Sequence, residues 1–403
     1  MAKHILVVSQ CFYPEQFRIN DICCDLVKRG YKVTVLTGIP NYPEGKFYSA
    51  YGWFKRRRER WNGIDIVRIP LIARGKHSLG LICNYLSFVI SGFFWCLFTS
   101  LDAECVFTFE TSPMTQALIS VWYAKRKKIP HYIYVQDLWP ENVEIVTGIR
   151  NRAIIGPIDK MVDYIYRRSD KILVTSPSFQ QVIRGRVHDR NKVIYWPQYA
   201  EEFYVPQKGV PVTEIPEDGT FKVVFTGNIG YAQGLQILPQ TANILRNQNI
   251  CDVRFVLVGD GRYKDKLLAQ IEEHAVMDMF IFVDKQPPER IPKLLAACDA
   301  AFVSFMNDPL FAKTIPAKLQ SYMACCMPVV ASASGETERI IQEAQCGVCC
   351  ALGDPQALAD GIMALKHDVK LCDKASNARA YFLKHFQKQD LMDQFVNEII
   401  GCL

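Results

Sequence analysis

The stretches KVVFTGNIG at 222–230 and VRFVLVGDG at 253–261 decide the reading of this chain. Each is a short Val-, Leu- and Phe-rich run that ends in glycines. Such a run, bounded by turn residues, reads as a strand covered on both faces, the mark of a parallel sheet. Glycines directly beyond a strand let backbone amides approach a phosphate, with the next helix offering its positive N-terminus. Either glycine pair alone is only a turn. Both together, at successive strand ends, indicate a nucleotide site.

Working outward, FIFVD (280–284), AAFVSF (300–305) and PVVAS (328–332) continue the second half, and helical patterns near 355–366, 371–386 and 389–400 close it. The first half carries HILVVS (4–9), KVTVLT (32–37), DIVRI (65–69), CVFTF (105–109), YIYVQD (132–137), KILVTS (171–176) and KVIYW (192–196). Helical stretches separate these runs, such as 17–29 with Gly30 as its natural stop. A loop rich in Pro and Gly, Pro197 to Gly219, divides the halves. A length of 403 residues also exceeds one typical compact domain. The expected class is therefore α/β, with two Rossmann-like domains, 1–205 and 220–385, facing one cleft. A terminal helix at 386–403 is expected to pack back on the first domain. Ligands of doubly wound sheets lie beyond the carboxyl ends of the strands.

The net charge of +6 hides an asymmetry, with about +12 on residues 1–200 and the opposite sign on the rest. Lys55-Arg56-Arg57-Arg58-Glu59-Arg60 and Lys125-Arg126-Lys127-Lys128 are the basic runs. They read equally well as a solvated face or as a contact with an anionic membrane. From Ser78 to Leu101 no charged residue occurs; Arg74 and Lys76 flank the segment on one side and Asp102 on the other. A transmembrane helix would cut a βα-alternating domain in two. A buried core helix stays open, and a helix lying in the membrane interface is preferred, because Trp95 and several phenylalanines accompany the basic runs. The fifteen cysteines are odd in number and sit largely within apolar patterns, with no signal peptide at the start. That argues against a disulfide framework and for the cytosol. Cys346 and Cys349 form a C-x-x-C without the second pair a zinc site needs.

Candidate site residues stand at strand ends. Ser9-Gln10-Cys11-Phe12-Tyr13-Pro14 contains no G-x-G-x-x-G, which weighs against a dehydrogenase. Gly227, Asn228 and Gly230 follow one strand, and Gly259 and Asp260 the next. Pro316 suits the first turn of a helix whose free amides can hold a diphosphate, and Lys318 in that turn opposes the dipole unless a phosphate accompanies it. In the first half Asp137 and Glu141 lie just past a buried strand, and Glu110 ends another. These carboxylates can orient or deprotonate an acceptor hydroxyl, or cap the following helix. Arg18 and Asn20 open the first helix and can reach a phosphate. No histidine stands where a Ser-His-Asp arrangement would need one.

These motifs resemble family 4 retaining glycosyltransferases of the GT-B fold, over nearly the whole chain. HILVVSQCFYPEQFRINDICCDLVKRGYKVTVLTGIPNYPEG is similar to the opening of the branch that assembles bacterial surface polysaccharides. VQDLWPENV, FTGNIGYAQGL, LVGDGRYKDKL and IPAKLQSYMACCMPVVAS recur in the family's order. Within that branch the chain resembles N-acetylfucosamine transferases of O-antigen assembly. The resemblance implies that Gly227, Asn228 and Gly230 meet the donor diphosphate, and that Gly259, Asp260 and the turn from Val283 to Gln286 lie along the uridine. Thr314 to Lys318 would meet phosphate and sugar, with Asp137 and Gln136 near the transferred sugar. It implies a UDP-sugar donor, retention of configuration, and no bound metal or cofactor.

There are departures. Many relatives carry two glutamates separated by seven residues, the second gripping the ribose; here Lys313 and Ser321 stand there, with Gln320 beside the latter. The usual Arg and Lys of the phosphate turn are replaced around Asn228 and Gln233. Arg18 and Lys318 are therefore expected to carry donor binding. The expected function is transfer of an N-acetylhexosamine such as N-acetyl-L-fucosamine from a UDP-sugar to a polyprenyl-diphosphate-linked saccharide. The protein would sit peripherally at the inner face of the cell membrane through 78–101 and the basic runs, with no nucleic-acid partner. A nucleotide-sugar epimerase of the same fold and a non-catalytic membrane scaffold are the alternatives.

Overall fold

A computed structural model describes residues 3–75, 77–148, 151–207 and 212–401. Lys76, one of the charges flanking the apolar segment, lies outside the described residues. The chain divides into two compact units, residues 1–196 with 392–403, and residues 197–391.

In the first unit the strands are β1 His4–Val8, β2 Lys32–Thr37, β3 Arg58–Trp61, β4 Ile64–Arg68, β5 Cys105–Glu110, β6 His131–Val135, β7 Lys171–Val174 and β8 Val193–Tyr195. They form one sheet in the order β3-β4-β2-β1-β5-β6-β7-β8. Only β3 runs antiparallel to its neighbour. The central strands β1, β5 and β6 are buried at every position, as continuous Val, Ile, Phe and Tyr runs require when helices cover both faces. Helix Arg18–Lys28 shows why sequence becomes element here. Ile19, Ile22, Cys23 and Leu26 recur at helical spacing on its buried side, and Gly30 beyond its end adopts a φ of +90° that a side chain resists. The sequence order reverses between β1 and β5, so this sheet has its switch point there. Phe395, in the terminal segment counted with this unit, packs against Phe107 and Trp196.

The second unit holds β9 Phe221–Thr226, β10 Val253–Val258, β11 Phe280–Val283, β12 Ala300–Ser304, β13 Val329–Ser332 and β14 Gly347–Cys350, in the order β11-β10-β9-β12-β13-β14. All its pairs are parallel. Its core gathers Val223, Phe225, Leu257 and Phe302 beneath Leu238, Leu245, Leu358 and Ile362. Its switch point lies between β9 and β12, whose pairing stops at Ala301 opposite Val224. The two units are thus Rossmann-like α/β domains.

The structure adds two strands to the expected set. β3 falls within a basic run read as a solvated or membrane-facing stretch. Its Arg-Glu-Arg-Trp alternation is that of an edge strand, where charges discourage further pairing. β14 is short and contains only Gly, Val and two Cys, too little pattern to stand out.

Candidate functional site

In the second unit, the loops after β9 and β10 are locked together. Gly227 N–H donates to Val258 O at 2.9 Å, Ile229 N–H to Asp260 O at 2.8 Å, and Tyr263 N–H to Ile229 O at 3.0 Å. Gly259 has a φ of +140°, and a Cβ there would overlap the carbonyl of Gly227. The glycine is needed because two backbones touch. The amides of Gly227 and Ile229 are spent in this zipper, which leaves those of Asn228 and Gly230 outside it. The next helix, expected to offer its N-terminus here, begins at Ile237, after a single 3₁₀ turn, Tyr231–Gln233.

That turn crosses to the end of β12. Met306 N–H donates to Ala232 O at 3.1 Å, and the Ser304 hydroxyl donates to Gln233 O. Beyond the last pair of β9 with β12, the Thr226 amide is satisfied by the hydroxyl of Tyr322 at 2.8 Å. Tyr322 belongs to helix Ala317–Ala324, whose N-cap is Pro316 rather than a residue of its first turn. Lys318, on the same helix, donates to the side-chain oxygen of Gln233 and lies 3.7 Å from the centroid of the Phe225 ring. Burial lowers its pKa to about 7. A half-buried ammonium at the crevice of a doubly wound sheet is chemically suited to an anion, which favours its charged form.

Other expected donor residues are placed differently. The Thr314 hydroxyl donates to Leu310 O at 3.1 Å and the Ser321 hydroxyl to Ala317 O at 3.2 Å, so both are turned back on their own backbone. Val283 is buried and its carbonyl accepts from Gly259 N–H at 3.0 Å. Asp260 is exposed and accepts from the amide of Gly261 at 2.8 Å. Gln320 is fully buried, with neither amide atom hydrogen-bonded among the described residues.

In the first unit, β1, β5 and β6 are neighbours, so their carboxyl ends bring several candidates together. Asp137 accepts from the Ser112 amide at 2.8 Å and from the Ser112 hydroxyl at 2.7 Å. The same hydroxyl accepts from Asn142 Nδ2 at 2.6 Å and from Trp139 Nε1 at 3.2 Å. Asp137 is therefore held by a loop across the sheet and does not cap helix Glu141–Thr147, whose N-cap is Pro140 and whose first residue is Glu141. Glu110, in register with Val135, is wholly buried, and neither of its carboxylate oxygens meets the geometry of a hydrogen bond among the described residues. Burial and the nearby charge of Asp137 push its carboxyl far up, with the backbone amides of Asp137 and Gln136 acting weakly the other way. That direction favours its protonated form. Arg18 is half-buried at the start of its helix, and its charge, with the Gln136 side chain, opposes the rise that burial imposes on the Tyr134 phenol. Arg18, Gln136 and Asp137 thus belong to one neighbourhood of the first unit.

Sequence reading missed three contributors: Gln233 as the partner of Lys318, Tyr322 as the plug between strand ends, and Ser112 as the clamp on Asp137. Each acts on a residue at least 25 positions away in the chain, and no local pattern marks it.

Comparison with known proteins bears on the family and the fold. Residues 16–198 match a glycosyl transferase 4-like domain, and residues 212–380 match glycosyl transferases group 1. The chain is 27% identical over 238 residues to the probable glycosyltransferase WbjE of Pseudomonas aeruginosa, a match covering 56% of this chain and 57% of WbjE. It is 23% identical to the putative colanic acid biosynthesis glycosyl transferase WcaI of Escherichia coli K12, over 98% of this chain and all of WcaI. Among solved structures, HepE from Anabaena in complex with UDP and glucose superposes with a TM-score of 0.71 at 17% identity, over the full length of both chains. Two glycosyltransferase domains of the GT-B fold therefore make up the chain.

Proposed function

We propose that this chain, a glycosyl transferase 4-like domain followed by a glycosyl transferases group 1 domain, moves a sugar from a UDP-sugar to a polyprenyl-diphosphate-linked saccharide. The single observation that carries the reading is Lys318, brought onto Gln233 at the switch point between β9 and β12. A cation there takes the place of the Arg and Lys that the phosphate turn lacks. HepE, of the same fold, holds UDP and glucose.

The amides of Asn228 and Gly230, with Lys318, receive the diphosphate and carry its growing charge as it leaves. Arg18 adds a second cation. Asp137, fixed by Ser112, and Gln136 orient the acceptor hydroxyl, while Glu110 supports them from behind. The acceptor oxygen bonds to the anomeric carbon on the face the diphosphate leaves, and its proton passes to the departing diphosphate oxygen. Configuration is retained without a covalent nucleophile or a metal. WbjE and WcaI are bacterial glycosyltransferases, WcaI of colanic acid biosynthesis, which supports a role in surface polysaccharide assembly at the cytoplasmic face of the membrane. An N-acetylhexosamine such as N-acetyl-L-fucosamine is the sugar the sequence resemblance favours.

The test is incubation of the purified protein with UDP-N-acetylhexosamines and a synthetic polyprenyl-diphosphate-linked sugar. The product is weighed by mass spectrometry and its anomeric configuration read by NMR. Conversion of a UDP-sugar into its epimer without acceptor would establish the epimerase instead.

A further inference from the structure

The loop after β12 gathers two aromatic rings at the switch point of the second unit. Phe305 directly follows the last residue of β12, and Phe311 lies in the short helix Pro309–Ala312. Their rings are stacked, with centroids 5.2 Å apart and planes inclined by 4°, and both side chains are half-buried. Two glycines fix the segment that carries them. A Cβ at Gly234, where φ is +64°, would strike the carbonyl of Phe305, and one at Gly335, where φ is +67°, would strike the carbonyl of Ala312. Each position needs glycine because a backbone passes directly against it. The segment is thereby clamped between the loops after β9 and β13, and the first of these carries Gln233, the partner of Lys318. The Ser304 hydroxyl, next to Phe305, donates to Gln233 O, and Met306 N–H donates to Ala232 O at 3.1 Å. The ring pair thus borders the turn that holds the ammonium.

The polar groups of this segment are mostly spent on its own backbone. Asp308 accepts from Leu310 N–H at 2.8 Å and caps the short helix, and the Thr314 hydroxyl donates to Leu310 O at 3.1 Å. Asn307 is exposed at the tip, and Lys313 stands at the helix end. What the segment sets beside Gln233 is carbon: the two rings, with Met306 half-buried next to the first. Such a wall favours a methyl group over a hydroxyl, because a hydroxyl placed there gives up water without gaining a partner.

We propose that Phe305 and Phe311 form the apolar wall of the sugar subsite and select donors that set a methyl group against it. The methyl comes from an acetamido group or from a 6-deoxy carbon. The inference rests on the UDP-sugar reading. A diphosphate held at Lys318 leaves the sugar on one side and the nucleoside on the other. The loops after β9 and β10 offer polar backbone, which suits the hydrogen-bonding edge of a base, whereas the β12 side offers rings.

Calorimetry on the full chain with UDP, UDP-glucose, UDP-N-acetylglucosamine, UDP-N-acetylquinovosamine and UDP-N-acetyl-L-fucosamine tests this. At least one methyl-bearing sugar is expected to bind about tenfold more tightly than UDP-glucose. N-acetylglucosamine carries the acetamido methyl alone and N-acetylquinovosamine adds the 6-deoxy one, so the step at which affinity rises identifies the methyl that meets the rings. Phe311→Ala is expected to cut that gain to less than about threefold. Circular dichroism and the affinity for UDP itself report whether each variant is folded. Should Phe311→Ala fail to fold, Phe305→Gln, which puts a hydrogen-bonding group in place of the other ring, decides instead. UDP binding without any methyl preference, a preference that survives the loss of either ring, or an equal loss of UDP and UDP-sugar affinity in a folded variant would overturn the proposal. Failure of UDP to bind the wild type would remove the donor reading, and the proposal with it.

Discussion

Lys318 and Gln233 stand 85 residues apart, yet the Lys318 ammonium donates to the Gln233 side chain beside the ends of β9 and β12. The contact brings a cation from a helix to a turn that carries none of its own. Among the described residues no carboxylate pairs with the ammonium, and we propose that the balancing charge comes with the ligand.

Lys318→Ala should therefore weaken UDP binding by about 1.5–3 kcal/mol, the range of a charge-assisted hydrogen bond. Isothermal titration calorimetry measures this directly. Unchanged affinity would remove Lys318 from the donor site.

The lowered pKa sets a direction in pH. Burial brings Lys318 to about 7, so the free protein loses this charge as pH rises above that value. A bound diphosphate favours the protonated form, so UDP affinity should fall above pH 7 and binding there should be accompanied by proton uptake. Titrations in buffers of different ionisation enthalpy detect that uptake, and Lys318→Met should abolish it.

Gly259→Ala should destabilise the second unit by about 2–4 kcal/mol, since a φ of +140° and overlap with the Gly227 carbonyl act together. At Gly230, by contrast, an added Cβ meets only the side chain of Asn228, which can move. Gly230→Ala should leave the urea midpoint nearly unchanged.

The two carboxylates of the first unit should separate cleanly. Burial and the charge of Asp137 push the Glu110 carboxyl well up, toward its protonated form; Glu110→Gln, which mimics that form, should keep activity within about threefold, about 0.7 kcal/mol in barrier height. Asp137→Ala should lower the transfer rate at least about a hundredfold while UDP affinity holds. Steady-state kinetics with UDP titration distinguishes the two; a collapse in Glu110→Gln would mean that the charged form is used.

Most of the sheet was legible because buried parallel strands write themselves as unbroken apolar runs. HILVV, FKVVFT and VRFVLV could hardly be anything else. β3 was hidden because an edge strand needs charge, and RERW looks like surface. The glycines of the loops after β9 and β10 were legible as backbone requirements, but which amides they free was not. Gly227 spends its own on Val258, a bond between strands far apart in sequence. The hydroxyls of Thr314 and Ser321 have the right chemistry for a ligand and turn instead to backbone carbonyls four residues back, a local competition that residue type alone does not decide. Asp137 could be read as a helix cap or as a functional carboxylate. Only the fold brings Ser112 to it.

The central claim is a UDP-sugar donor held at the switch point of the second unit. Its most direct test is a thermal-shift panel of UDP, GDP, TDP and NAD, followed by UDP-sugars, on the wild type and on Lys318→Ala. Selective stabilisation by UDP and by one UDP-sugar, weakened in the variant, is the predicted result. Stabilisation by NAD or GDP in place of UDP, or a UDP response that Lys318→Ala leaves intact, would contradict it.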